Sequence, residues 1–254
     1  VKLQQPDQRS AREIAYLHIQ KKIASRALRA GTPVSELPIA HELGISRTPT
    51  REAMRQLVAE GLLEEIPGRG VVVVKLDRHD LIELYELREA LEWQAVRKSA
   101  SHPIGAAELQ NLHKVADEMR ALIQELKRSG KPKLDQRQVS RFEAADIGFH
   151  MYLLRVAGNR RSLKLLNEIR LLIRTFAMRS SGHGVAGLKQ IYEDHCEVIA
   201  GIEARDPARA TAALATHIQT SQRERLEQFD QREREAALPQ DIPSFIDQIQ
   251  ADLV

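Results

Sequence analysis

Apolar residues in the stretch from 9 to 30, RSAREIAYLHIQKKIASRALRA, fall at Ile14, Leu17, Ile23, Ala24 and Leu28. These mixed three-, four- and six-residue steps predict a helix, ended by Gly31 and followed by Pro33 in a turn. A second short helix is expected over 38 to 43, since Pro38 suits a first helical turn. Gly44 then supplies a left-handed turn. The third helix lies in RTPTREAMRQLVAEG, with Thr48 as its cap, Pro49 in its first turn and Glu52 near the exposed backbone donors. Ala53, Leu57 and Val58 form its buried stripe, with Met54 at the edge, while Arg51 and Arg55 extend to another face. The pattern then changes: LLEEIPGRGVVVVKL reads as a strand, a Pro-Gly-Arg-Gly turn and a valine-rich strand. Helix, helix-turn-helix and hairpin, in that order, predict a winged helix-turn-helix over 9 to 75, with the third helix entering a major groove and Arg69 at the wing tip.

Beyond residue 77 the pattern is helical throughout, with segments expected over 79–100, 104–129, 136–157, 160–179, 184–204 and 207–232. SHPIG, SGKPK, AGN, SGHG and ARDPA punctuate the junctions. Six such helices predict an all-α antiparallel bundle over 79 to 232. Residues 233 to 254 are set aside as a C-terminal extension, either a last short helix or a packed tail.

Composition adds less. The 254 residues and 43% hydrophobic content support one large or two modest domains. The single Cys196 excludes an internal disulfide framework and fits a reducing compartment. No apolar run approaches the ~20 residues of a membrane span, and nothing at the amino terminus resembles a signal peptide. A cytoplasmic protein is expected. Aromatic content of 4% argues against a stacking platform for single strands. Net charge is +3, unevenly placed: residues 1 to 75 hold 12 Lys and Arg against 8 Asp and Glu, and the remainder is close to balance.

That local excess matters because Arg47, Thr48, Thr50, Arg51 and Arg55 cluster at the start of the third helix. Guanidinium groups grip phosphate or reach guanine N7 and O6, and hydroxyls and helix amides position a duplex. LGISRTPTREAMRQLVAEGLL followed by GRGVVV resembles the GntR family of bacterial transcription regulators. LIELYELREALE, with the paired FH and AGN, resembles its FadR subfamily, whose effector domain has the FCD fold. Six bundle helices resemble the VanR-like branch. The resemblance implies that Arg47 and Arg51 are recognition-helix arginines and that Gly68 and Gly70 are the wing glycines flanking Arg69. One departure is Leu37, where the family often carries a phosphate-contacting arginine.

In the bundle, Asp146 and His150 lie four apart among apolar neighbours, on one helical face. A hydrogen-bonded core pair, half of a metal site and a catalytic dyad would all fit that spacing. His195 lies eleven residues before Asp206 and His217 eleven after it. At 1.5 Å rise each stands about 16 Å from the turn, at one height on neighbouring helices. The four are oxygen and imidazole ligands suited to Zn, Ni or Mn. The resemblance implies the same set, because FCD domains often carry an Asp and three His at the matching positions. Water or the carboxylate of a small organic acid would fill the remaining coordination positions. Arg88 could clamp that carboxylate or form an ordinary interhelical salt bridge. Asn159 matches the family's Gly-Asn marker, which implies capping, with effector contact as the alternative. His113 and Asp117, also four apart, read as a surface pair. His18, His41, His79, His102 and His183 carry no site argument, and Cys196 should turn away from His195.

The expected function is a homodimeric regulator on palindromic double-stranded DNA, probed by a small organic acid and not associated with membranes. Repression relieved by ligand is the common family outcome. Two other classes compete: a metal-dependent hydrolase fused to a DNA-binding module, and a non-regulatory architectural DNA binder. Against the first stands the absence of HExxH, of a nucleophile elbow and of a separate general base.

Overall fold

The computed structural model describes residues 10–25, 27–176 and 183–237. Among these, α1 (Ala11–Ala24), α2 (Glu36–Leu43), α3 (Arg47–Ala59), β1 (Leu63–Ile66) and β2 (Gly70–Val73) form an amino-terminal unit. Then α4 (Arg78–Ser101), α5 (Ala106–Ser129), α6 (Gln136–Val156), α7 (Arg160–Phe176), α8 (Val185–Glu203) and α9 (Pro207–Ala237) build the bundle. This is the winged helix-turn-helix and all-helical bundle that the periodicity predicts.

Details of the first unit differ from the reading. Helix α1 stops at Ala24, well short of Gly31, and the Leu28 N–H turns back onto the Lys22 carbonyl. Its buried stripe is Ala15, Ile19 and Ile23, a strict i, i+4 row, and Ile14 is exposed. The freed segment works as sheet: Val34 donates to the Val71 carbonyl and Gly31 to that of Val73, with Pro33 bridged to Val72. Gly44 is left-handed, at φ 64°. The cap of α3 is Ser46 rather than Thr48, and no acidic residue stands in its first turn, so Glu52 lies past the amino-terminal donors. Met54 is buried, and Val58 is only partly covered. In the wing, Leu63 pairs with Val73 and Ile66 with Gly70. Pro67 and positive-φ Gly68 make the type II arrangement between them, closed by Arg69 N–H on the Ile66 carbonyl.

In the bundle, α4 packs along α9, and α8 forms a hairpin with α9. Gly201 permits that hairpin: a Cβ there would meet the Ala210 backbone at 2.6 Å. The core runs through Tyr85, Val96, Leu112, Phe149, Leu153, Val198 and Leu214. Helix α9 runs past residue 232 to Ala237; the rest of the expected tail, 238 to 254, lies outside the described residues. Helix α7 faces both ways. Its Leu166, Ile169 and Ile173 enter the bundle core, and Leu171, Leu172 and Phe176 pack against the amino-terminal core of Ile19, Leu57 and Leu63.

Candidate metal centre and nucleic-acid interface

Helix α6 presents Asp146 and His150, α8 presents His195 and α9 presents His217. The eleven-residue symmetry about Asp206 does place the last two at one height. One ligand atom from each of the four lies within 4.8 Å of the others. His150 Nε2 is 3.2 Å from His217 Nε2, and His195 Nε2 is 3.4 Å from the same atom. Asp146 Oδ1 lies 3.5 Å from His150 Nε2 and 3.7 Å from His195 Nε2. All three imidazoles are buried.

The outer atoms explain why the inner ones converge. The His150 Nδ1–H donates to Glu92 Oε2 in a very short hydrogen bond, and His217 Nδ1 faces Asp194 Oδ2 at 3.4 Å. A carboxylate only accepts, so each Nδ1 carries the proton and each Nε2 keeps a lone pair. The two Nε2 atoms lie 3.2 Å apart in a buried space, and the Arg88 guanidinium donates to the His150 one at 3.0 Å. A cation is therefore already held at this point, where the imidazole lone pairs and the Asp146 carboxylate converge. Bonds of about 2.0–2.1 Å to a divalent ion put neighbouring ligand atoms roughly 3.0–3.4 Å apart, close to the spacings here. The buried Asp/His cluster can therefore coordinate a divalent metal. Asp146 is held for the task by Arg170, whose NH2 donates to Oδ2 at 2.5 Å, leaving Oδ1 turned inward. His195 is oriented by packing: its ring stacks on Phe149 at 3.9 Å between centroids, and its Nδ1 has no hydrogen-bond partner.

Electrostatics keeps the site ready. Burial pushes the His195 imidazole well below its ordinary pKa, and its His217 and His150 neighbours push the same way. Burial lowers His217 too, opposed by Asp194. Burial alone would raise Asp146, but Arg170 and His150 hold it well below the usual carboxylate range. Glu92, fully buried, is likewise raised by burial and brought far down by His150, Arg88 and Arg170. Neutral imidazoles and an ionised carboxylate are what ligation requires.

Sequence reading did not find Glu92, Arg170 or Asp194. Arg88 is more committed than a free clamp would be: its Nε donates to Glu92 Oε1 at 2.8 Å, and its NH2 to His150 Nε2 at 3.0 Å. The ion pair is within α4, not between helices. Asn159 Oδ1 accepts the N–H groups of Arg161 and Ser162, so Asn159 caps α7 on the surface, away from the cluster. His113 is exposed as expected, but pairs with Glu203 at 2.8 Å, and Asp117 pairs with Arg120. His183 stacks edge-on against Phe142 and lines the mouth beside Asp146.

On the amino-terminal unit, Arg47, Arg51 and Arg55 succeed one another at four-residue steps along the exposed side of α3, beside Thr48. Ser46 makes no side-chain cap bond, so the first amides of α3 stay available to an anion. Gly68, Arg69 and Gly70 are exposed at the wing. Thr50 is the exception. It is fully buried and its hydroxyl donates to the Ser46 carbonyl, because its place in the helix turns it toward the core with Ala53 and Met54. Unforeseen is Glu36, which accepts Arg51 Nε at 2.6 Å and NH2 at 3.0 Å, and Arg47 at 3.4 Å. Leu37 beside it is exposed.

Comparison with known proteins agrees with this geometry. Residues 11–73 match the profile of bacterial regulatory proteins of the gntR family, and residues 83–220 match that of the FCD domain. The chain is 36% identical over 201 residues to a probable D-xylose utilization operon transcriptional repressor of Paenarthrobacter nicotinovorans, covering 79% of this chain and 82% of the relative. It is 25% identical to the gluconate operon transcriptional repressor of Bacillus subtilis (strain 168), covering 82% and 78%. In fold it is similar to Escherichia coli McbR/YncC, with a TM-score of 0.66 at 18% identity over 87% of this chain and 99% of that one. A transcriptional regulator from Rhodococcus sp. RHA1 gives 0.60 at 22% identity over 86% and 99%. No helix among the described residues is long and apolar enough to cross a membrane.

Proposed function

Since the chain belongs to the GntR family of bacterial transcription regulators and carries an FCD effector domain, we propose that it is a repressor whose hold on a palindromic operator is set by a small organic acid bound at a divalent metal. The family makes it a DNA-binding regulator and not an enzyme. The observation that carries the sensing half is the convergence of one ligand atom from each of Asp146, His150, His195 and His217 within 4.8 Å of one another, with all three imidazoles buried. Asp146, His150, His195 and His217 would hold the ion, which supplies a Lewis-acidic anchor for a carboxylate. Zn, Ni and Mn all suit this mixture of one oxygen and three imidazoles. Ligation uses the His150 lone pair that Arg88 now occupies, which releases an Arg88 N–H for that carboxylate. The relatives named for D-xylose and gluconate operons favour a carbohydrate-derived acid.

On the DNA side, Arg47, Arg51 and Arg55, with Thr48 and the α3 amino terminus, face the major groove. Gly68, Arg69 and Gly70 lie along the neighbouring backbone. Two such units bind two half-sites, which calls for a homodimer. Exposed Leu87 and Trp93 on α4, and Leu165 on the adjoining α7, favour pairing through the bundle. The ligand acts only by binding the two arrangements of the dimer unequally. Fluorescence anisotropy on operator DNA, with gluconate added to metal-loaded and to chelator-treated protein, tests the reading. Gluconate is expected to weaken binding only when metal is present. A response of equal size after metal removal would overturn the metal-anchored form of the proposal.

A further inference from the structure

Arg170 is nine-tenths buried, yet its NH1 has no hydrogen-bond partner. The carboxylate oxygens around it are spoken for. Asp146 Oδ2 takes Arg170 NH2, and Oδ1 faces the imidazoles. Glu92 Oε1 takes Arg88 and Oε2 takes His150, which leaves Glu92 Oε1 at 3.7 Å from NH1, beyond hydrogen-bonding distance. A buried, charged N–H left without an acceptor keeps its full desolvation cost, which an incoming acceptor would offset. Burial and the neighbouring Arg88 both depress the Arg170 guanidinium, as expected where positive charge is undercompensated.

The space beside it has a matching character. A pocket between α4, α6, α7 and α9 is lined by Arg88, Arg170, Arg174 and Arg225, against Glu143 and Asp146. Tyr85 and Ser221 add hydroxyls. On the other side of Asp146 a second pocket, sharing Phe142, Asp146, Ser221 and Arg225, is lined by His217, Gln190, Asp194 and Thr220. That side offers the ligating His217, the hydrogen-bonding Gln190 and Thr220, and the carboxylates Asp194 and Glu224. The two sides are therefore chemically unlike: carboxylates outnumber guanidinium groups on the metal side, and guanidinium groups outnumber carboxylates on the Arg170–Arg174 side.

We propose that the Arg170–Arg174 pocket is an anion subsite beside the metal ligand Asp146, which receives the far acidic end of a polyhydroxylated acid with two anionic ends whose near carboxylate lies at the metal centre. The inference rests on the organic-acid reading above and narrows it from any acid to one with two anionic ends. Arg170 contributes the fixed, buried donor and Arg174 the second guanidinium at the rim. A carboxylate or a phosphate satisfies both, since each offers a pair of acceptor oxygens to a guanidinium fork.

Three probes share one six-carbon chain and differ only at its end: gluconate with a hydroxyl, glucarate with a carboxylate and 6-phosphogluconate with a phosphate. Titration calorimetry on the metal-loaded full chain is expected to give glucarate or 6-phosphogluconate an affinity about tenfold or more above gluconate. Which of the two leads identifies the terminal group. Arg174→Gln should narrow that preference to within about twofold, whereas Arg137→Gln, an exposed change elsewhere on the bundle, should preserve it. Metal content by elemental analysis, unchanged in both variants, separates loss of the subsite from loss of the centre. Equal affinity for all three acids, or an Arg174→Gln variant that keeps the full preference, overturns the subsite and leaves the organic-acid reading standing. No binding by any of the three overturns both.

Discussion

Two groups of arginines and carboxylates occur in this protein, and their surroundings give them opposite uses. At the recognition helix, Glu36 holds Arg47 and Arg51 in solvent, where an ion pair contributes little and its partners exchange readily. In the bundle, Glu92 holds Arg88 and His150 with no exposure at all, and Arg170 holds Asp146. There, removing one partner strands a charge away from water. Under the proposed function the first group would trade its carboxylate for phosphate or a guanine edge, and the second would keep its geometry while a ligand comes and goes.

The contrast is broken most forcefully at Glu92. Glu92→Ala leaves Arg88 and Arg170 short of countercharge in the interior, and should cost about 3–5 kcal/mol of bundle stability in urea unfolding. A loss under about 1 kcal/mol would show that the buried group is no more rigid than the exposed one. Next comes His217→Ala, which should strip most of the bound metal, while His113→Ala retains it; elemental analysis after gel filtration compares them. Equal retention would reduce the cluster to a packed polar core.

The Arg51→Ala substitution tests the surface group. If Arg51 reads a guanine through two hydrogen bonds, operator affinity should fall roughly 5- to 150-fold. Salt titration against scrambled duplex separates that from phosphate attraction. A loss identical on both duplexes would assign Arg51 to the backbone alone. Acid gives a graded test of the buried group. His195 and His217 have depressed pKa values when folded, so the metal-free bundle keeps their full contribution above about pH 6.5 and loses it as pH falls, when the unfolded chain takes up the protons. Thermal melts across pH 7.5 to 5 in chelator should move downward. The smallest effect is expected of Glu36→Gln: an unchanged thermal midpoint, with a steeper salt dependence of complex formation as the only trace, since no freed carboxylate takes up a cation.

The fold was readable because its signals are periodic. The bundle helices start within two residues of their expected positions, α9 runs five residues past 232, and 177–179 of the expected 160–179 helix lie outside the described residues; the spacing about Asp206 brings His195 and His217 to one height. Glu92 and Arg170 were hidden because charged residues are read as surface. Yet Leu81, Tyr85, Arg88, Glu92, Ala95 and Ser99 fall on one buried stripe of α4, and Leu166, Ile169, Arg170 and Ile173 on one of α7. A charge at a seam position, with its opposite four residues away, is the signal that was available. Thr50 shows the reverse error. Its polarity suggested contact with DNA, whereas its position between Ala53 and Met54 on the inner side of the helix decided its burial. The α1 boundary failed for a third reason: residues beyond Ala24 found backbone partners in the wing, which no helical periodicity reveals.

Helix α7 has one further consequence. Arg170 reaches Asp146, and Leu172 and Phe176, on the same helix, rest on the amino-terminal core. Six residues of helix span about 9 Å, too short a rod to flex appreciably. A tilt at one end is felt at the other. Thermodynamic linkage makes that traffic two-way: whatever factor the acid takes from operator affinity, the operator takes from affinity for the acid. Under the proposed function, protein parked on its operator would therefore be a poorer acid sensor than protein free in solution, and the acid concentration that releases the operator would sit above the affinity measured without DNA.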